Sequence, residues 1–391
     1  MKRLAYVTGS RAEYGIVKRL LLKLQKHQNI DFSVIVTAMH LDKMYGYTID
    51  VLEKDGVNVS HEIPIKLDSN NNQKVIESMA ECLSKFGEHF QNYKYDAIIV
   101  LGDRYEMLSV AISAAMHNIP IIHLHGGEKT LGNYDEFIRH SITKMAKLHL
   151  VSTEEYKQRV IQLGESPDSV VNIGSLGAEN SLLLPLHAKE YIYSKIRYNK
   201  PYFVVLFHPE TMTENSVEEQ ADQILMALSE LKNSYDFVFI GSNSDTGSNV
   251  IYQKFLEYAN RNDYAYFPSL TTEEYLSLVK NSRGIIGNSS SGLIEVPSLK
   301  VATINLGDRQ KGRVRGGTVI DSHIKTQDIV ASIIQSQDKE FQIKLQGSEN
   351  PYRKENSLQM AYDSIISFLD SSNINIAKDF WDIPKELNDS M

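Results

Sequence analysis

The chain concentrates carboxylates and imidazoles in one stretch. Gly102-Asp103-Arg104-Tyr105-Glu106 is followed by His123-Leu124-His125-Gly126-Gly127-Glu128 and then by Asp135-Glu136-Phe137-Ile138-Arg139-His140. Such groups take and give protons, and one correctly placed contributes roughly 10²–10⁴-fold to a rate. Asp103, His125, Glu128 and Asp135 are therefore the candidates for acid/base work. Metal ligation is the alternative, because a regular strand would put His123 and His125 on one face. No third ligand follows at a fixed offset, and the glycines after His125 mark the end of the strand, so acid/base chemistry ranks above a metal site and no metal is expected. His123 reads as a satisfied core histidine.

A second set of strings suits an anion. Ile286-Gly287-Asn288-Ser289-Ser290-Ser291-Gly292-Leu293-Ile294-Glu295 runs from a strand through a small polar loop into a helix. Unpaired N–H groups, hydroxyls and the positive helix end converge there, which reads as a diphosphate cradle around Asn288, Ser289 and Ser290. Glu295, about a turn further, has two acceptor oxygens suited to a vicinal diol such as ribose. Arg309, Lys311, Arg313 and Arg315 place four cations in seven residues, and next to such a loop they read as neutralising the ligand. Gly9-Ser10-Arg11-Ala12-Glu13-Tyr14-Gly15 is a weaker signal, lacking both GxGxxG and the Walker pattern. Either Arg11 meets an anion there or Ser10 simply caps a helix. Pro209 biases His208 toward an extended conformation that leaves its imidazole at a crevice, and Gly241-Ser242-Asn243-Ser244-Asp245-Thr246-Gly247 reads as an ordinary polar loop.

These strings share a position: each follows a β-branched or aliphatic run. Leu4 to Thr8, Phe32 to Thr37, Ala97 to Leu101, Ile119 to Leu124 and Leu148 to Ser152 alternate with helical spacing, and so do Tyr202 to Phe207, Phe237 to Ile240, Gly284 to Gly287 and Val301 to Asn305. The pattern predicts an α/β fold of two Rossmann-like, doubly wound domains facing a cleft, one over 1–185 and one over 200–350. Asn199-Lys200-Pro201 is the turn between them, and the tail carries a helical stripe of Leu358, Ala361, Ile365, Ile366 and Leu369. In open sheets of this kind ligands sit beyond the carboxyl ends of the strands. A length of 391 residues fits two domains, and 42% hydrophobic residues are enough for two cores. A net charge of −8 disfavours nucleic acid and anionic membrane surfaces as partners. The lone Cys82 forms no internal disulfide, the opening residues are too few for a signal-peptide core, and no window is long enough to span a membrane; a reducing cytoplasm is the expected setting.

Taken in order, Gly9 to Gly15, Leu101-Gly102-Asp103-Arg104, Gly126-Gly127-Glu128, Ile138-Arg139-His140-Ser141-Ile142-Thr143-Lys144, Phe207-His208-Pro209, Gly287 to Gly292 and Asn305-Leu306-Gly307-Asp308-Arg309-Gln310 make most of the chain resemble the UDP-N-acetylglucosamine 2-epimerases. The resemblance is to the hydrolysing branch, which releases N-acetylmannosamine for sialic acid synthesis. It implies a glycosyltransferase-B-like pair of domains, with a C-terminal helix at about 352–391 returning to the first. It also implies a homodimer or homotetramer, and UDP-N-acetylglucosamine as ligand with no cofactor. By the same resemblance Arg11, Arg104, His208, Asn243, Ser289, Ser290, Glu295 and Arg309 hold the uridine diphosphate, and Asp103 and Asp135 serve acid/base chemistry. Many members carry Glu where this chain has His125, so either His125 or Glu128 takes that role. The implied reaction is elimination of UDP to 2-acetamidoglucal followed by hydration. Its rivals are a UDP-2,4-diacetamido sugar 2-epimerase, a non-hydrolysing epimerase, a glycosyltransferase and a catalytically silent nucleotide-sugar sensor.

Overall fold

A strand covered by helices on both faces buries every side chain, so it reads as a continuous aliphatic run. A computed structural model describes residues 1–196, 200–213, 215–371 and 377–383; Asn199 of the expected turn, and 372–376 and 384–391 of the tail, lie outside the described residues. The first sheet contains β1 (Lys2–Thr8), β2 (Ile30–Thr37), β3 (Val59–Ile63), β4 (Ala97–Leu101), β5 (Ile121–Leu124), β6 (Leu148–Val151) and β7 (Val170–Asn172), in the order β3-β2-β1-β4-β5-β6-β7. The second contains β8 (Tyr202–Leu206), β9 (Asp236–Ile240), β10 (Tyr266–Phe267), β11 (Ile285–Gly287), β12 (Thr303–Leu306) and β13 (Val319–Ser322), in the order β10-β9-β8-β11-β12-β13. Every pairing is parallel.

Both sheets follow the doubly wound order, in which the chain reverses direction beside the first strand of each half. The reversals fall between β1 and β4 and between β8 and β11. Chain leaving these four strands carries Ser10 and Arg11, Asp103 and Arg104, His208, and Asn288 to Ser290 to the two crevices. The α/β, doubly wound reading therefore holds. Among the described residues the sheets also include β3, β7, β10 and β13, which the sequence reading did not pick out; all four are edge strands.

Local signals set the helices. Ser10 caps the helix Arg11–Gln25 in a reciprocal box with Glu13, whose carboxylate accepts from the Ser10 and Gly9 amides at 3.0 and 3.1 Å. Val17, Leu20, Leu21 and Leu24 then form its buried stripe. The helix Ser357–Asp370 lays Ala361, Ile365 and Leu369 into the core of the first sheet. The helix Lys189–Ile196 instead sends Ile192 and Ile196 into the core of the second. Among the described residues no helix is long and apolar enough to cross a membrane.

Ile365 is fully buried in that returning helix. Ile365→Ala is expected to destabilise the fold by about 2–5 kcal/mol, seen as a lower urea midpoint with an unchanged slope.

Candidate active site

The two sheets face one another across a cleft of about 1430 Å³, counting its open mouth. From the first lobe Arg11, Asp103, Arg104 and Asp135 line it; from the second come His208, Asn243, Ser289, Ser290, Glu295 and Arg309. His125, Glu128 and Asn288 do not reach its wall.

The cradle is built by close approach. Gly287 leaves β11 at φ +146, where a Cβ would stand 1.8 Å from the Leu206 carbonyl oxygen, so a side chain is excluded there. Asn288 then ties the two strand ends together: its carbonyl accepts from the His208 amide at 2.7 Å and its amide donates to the His208 carbonyl at 2.9 Å. The side chain expected to meet phosphate is thus used to fix the turn that presents Ser289 and Ser290. Burial, reinforced by Arg309, pushes the His208 imidazole down to about 3. Its Nδ1 accepts from the Asn243 amide at 3.3 Å, so the proton of the neutral ring sits on Nε2, a donor for an oxyanion. Arg11, lowered by burial to about 10, remains a cation at neutral pH.

Each cation of the 309–315 run has a carboxylate partner, which changes the reading of that run. Arg309 stands 3.2 Å from Asp135, Lys311 3.3 Å from Asp308 and Arg313 2.9 Å from Glu128, and Arg315 pairs with Asp321. Of these, Arg309 and Arg313 line the cleft. Arg104 is likewise engaged: it pairs with Glu106 at 3.1 Å and, across the cleft, with Asp245, and donates to Ser244 at 2.7 Å. It clasps the lobes.

The candidate acid/base groups divide by environment. Asp103, 19% exposed at its side chain, pairs with Arg139. Burial pushes the Asp135 carboxyl up, as do the neighbouring Asp103 and Asp245, against the pull of Arg309 and Arg104. Its Oδ1 is a buried acceptor that no described protein group meets. One side chain back from the wall, β5 ends at Leu124, and His125 turns into the left-handed region at φ +63. The alternation that would have aligned His123 with His125 stops there. His123 is satisfied by the Gly102 carbonyl at 2.8 Å and the Thr143 hydroxyl at 3.1 Å. His125 Nδ1 instead lies 2.8 Å from Glu128, which also accepts from Ser152 at 3.1 Å. Burial alone would raise the Glu128 carboxyl, but Arg313, His125 and Arg139 hold it well below the usual range. Among the described residues no three His, Cys, Asp or Glu come together to hold a metal ion.

Sequence reasoning passed over Arg139 and Asp245 as site residues, and read Arg313 only as one of four ligand-neutralising cations. Arg139 is fully buried, pairs with Asp103, and donates to the His125 carbonyl at 3.0 Å and the Thr130 hydroxyl at 3.0 Å. Its signal was available, because Asp135 and Arg139 are four residues apart and share one helix face. Asp245 had none beyond its loop.

Two facing Rossmann-type lobes with this cleft define a glycosyltransferase-B-like architecture. The family model of UDP-N-acetylglucosamine 2-epimerase matches residues 22–366, and the chain belongs to that family. It is 56% identical over 388 residues to the polysialic acid biosynthesis protein P7 of Escherichia coli, covering 98% of each chain. It is 36% identical to the GDP/UDP-N,N'-diacetylbacillosamine 2-epimerase (hydrolyzing) of Campylobacter jejuni, covering 87% of this chain and 88% of that one. Among solved structures, the UDP-GlcNAc 2-epimerase of Neisseria meningitidis bound to UDP-GlcNAc superposes with a TM-score of 0.78 at 20% identity, covering 94% of this chain and 100% of the other.

His40, His123 and His208 are each buried and each lowered from 6.5 to about 3, chiefly by burial. Unfolding lets them take up protons that the fold disfavours, so their share of stability is full above about 6.5 and is lost as pH falls toward 3. Stability measured in urea is expected to fall steadily from pH 7 to 4; a flat profile would contradict neutral buried imidazoles.

Proposed function

We propose that the protein is a hydrolysing 2-epimerase that converts UDP-N-acetylglucosamine and water to N-acetylmannosamine and UDP. The observation that carries this reading is the meeting of Asp103 and Asp135 from one lobe with Arg309, His208, Ser289 and Ser290 from the other in a single cleft. Proton-transfer groups and leaving-group stabilisers then act on adjacent atoms of one sugar phosphate.

A base takes the C2 proton, the C2–H electrons form the C1=C2 bond, and the C1–O bond breaks with its electron pair leaving on UDP. The C2 proton is weakly acidic until that departure begins, so the diphosphate must be held as it leaves. Arg11, Arg309, the neutral His208 donor and the Ser289-Ser290 turn do this, each donor contributing about 3 kcal/mol. Asp103 is the base. Asp135, whose buried environment beside Asp103 and Asp245 favours its protonated form, supplies the acid. Water then adds at C1 of 2-acetamidoglucal while a proton returns to C2 on the opposite face. His125, one side chain back from the wall, relays that proton to the cleft rather than touching the sugar, with Glu128 orienting its ring, because Glu128 itself is enclosed by Arg313, His125 and Ser152. The route needs neither a metal nor a redox cofactor.

The hydrolysing relative in C. jejuni supports release of free sugar, and the polysialic acid relative supports N-acetylmannosamine over a diacetamido product. The same reading assigns 1–185 and 200–350 to the two domains, with the tail from 352 returning to the first. It places a homodimer or homotetramer in the cytoplasm, in keeping with the buried, unpaired Cys82.

A proton NMR time course in D₂O tests this. Free N-acetylmannosamine carrying deuterium at C2 is expected alongside UDP. Retained C2 hydrogen would exclude base abstraction, UDP-N-acetylmannosamine would mean a non-hydrolysing enzyme, and a diacetamido substrate preferred over UDP-N-acetylglucosamine would reassign the sugar. Asp103→Asn is expected to lose turnover by roughly 10²–10⁴-fold while UDP affinity is kept, measured by calorimetry beside steady-state rates.

A further inference from the structure

One loop of the second lobe, between β12 and β13, carries Arg309 and Arg313, and each reaches a different carboxylate of the first lobe. Arg313 lines the cleft, yet its guanidinium is taken up by groups of the first lobe. Nε donates to the Lys129 carbonyl at 2.7 Å, one Nη donates to the Thr130 hydroxyl at 3.2 Å, and the other stands 2.9 Å from Glu128 Oε2. The seat of this loop is built from both sides. The Val314 amide donates to the Tyr156 hydroxyl at 3.0 Å, the Tyr352 hydroxyl donates to the Val314 carbonyl at 2.8 Å, and the two hydroxyls are 2.7 Å apart. Gly312 packs on the Lys129 side chain so closely that a Cβ would come within 2.8 Å of it.

Glu128 divides its oxygens. Oε1 accepts from His125 and Ser152, whereas Oε2 faces Arg313, with Arg139 further off at 3.6 Å. Without Arg313, the nearest remaining cation for Oε2 is Arg139, and turning the carboxylate toward it draws Oε1 away from His125. A lysine would restore the charge but not the planar fork that grips Lys129, Thr130 and Glu128 together.

We propose that Arg313 is a positioning residue: seated from the second lobe, it holds Glu128 in the orientation that aims His125, so the proton-exchanging pair is assembled only where the lobes meet. This rests on the reading of His125 and Glu128 given above.

The test uses steady-state kinetics and UDP calorimetry on the full chain. Arg313→Met is expected to lower kcat about a hundredfold, as a misplaced reacting group does, while UDP affinity changes by less than about threefold. Arg313→Lys is expected to recover part of the loss. In a Glu128→Gln background, removing Arg313 should cost no more than about twofold further, because the group it positions is already gone. Losses that multiply independently would overturn the proposal, and so would a fall in UDP affinity that tracks kcat, which would make Arg313 a phosphate ligand. Should Arg313→Met not fold, Arg313→Lys decides: reduced kcat with UDP affinity kept supports positioning, and unchanged kcat overturns it. Full turnover by Glu128→Gln alone would sink the underlying acid/base reading, whereas an inactive Glu128→Gln beside an active Arg313→Met would sink the positioning role and leave that reading standing.

Discussion

A carboxylate taken out of water has to find a counter-charge, and here that requirement joins the two lobes. Asp135 and Glu128 of the first lobe meet Arg309 and Arg313 of the second, and Arg104 of the first meets Asp245 of the second. The surroundings then separate two buried carboxylates that would otherwise behave alike. Glu128 faces two guanidiniums and an imidazole and is held low, whereas Asp135 shares its space with Asp103 and Asp245 and is pushed up despite Arg309. The protonation preferences of these two carboxyls therefore differ by the charges around them rather than by residue type.

The sheets were legible in their middles and not at their margins. Ala97–Leu101 and Tyr202–Leu206 are buried at every position, so their aliphatic runs stand out. The strand Val59–Ile63 alternates half-buried with exposed residues and includes Ser60, His61 and Glu62, while Val319–Ser322 exposes Asp321. An edge strand has one neighbour and a partly wet face, so its composition approaches that of a loop. Missing the edges did no harm to the functional reading, because the crossover points lie beside the central strands.

Within the site, chain exits from central strands were legible because topology fixes where they go, and Ser289, Ser290, Asp103, Arg104, Asp135 and His208 all reach the cleft. What each exit faces was not legible. The four cations of 309–315 looked like one ligand-neutralising patch, but the loop crosses to the other lobe and their charges are met by four separate carboxylates. Asn288 reads as part of a phosphate loop, yet the amide completes a pair of hydrogen bonds that only the register of two parallel strands could reveal. The contact between His125 and Glu128 was not legible for a similar reason, since it depends on the left-handed turn at His125 that brings the ring onto Glu128.

The distribution of groups between lobes also bears on how an elimination could be controlled in such a cleft. Removing a weakly acidic proton and releasing a diphosphate are each unfavourable alone, and the barrier falls only when both are assisted together. In this protein the cradle and its neutral imidazole belong to the second lobe, and the carboxylates and the His125–Glu128 pair belong to the first. Burying a cation at His208 would add attraction for the diphosphate but also require desolvating another charge beside Arg309. A neutral Nε2 donor, fixed by the Asn243 amide, avoids that cost and still supplies a directed hydrogen bond. The fold thus pairs Glu128 with Arg313 and Arg104 with Asp245 across the gap, and leaves directional donors and an Asp135 carboxyl pushed toward its protonated form on the cleft wall.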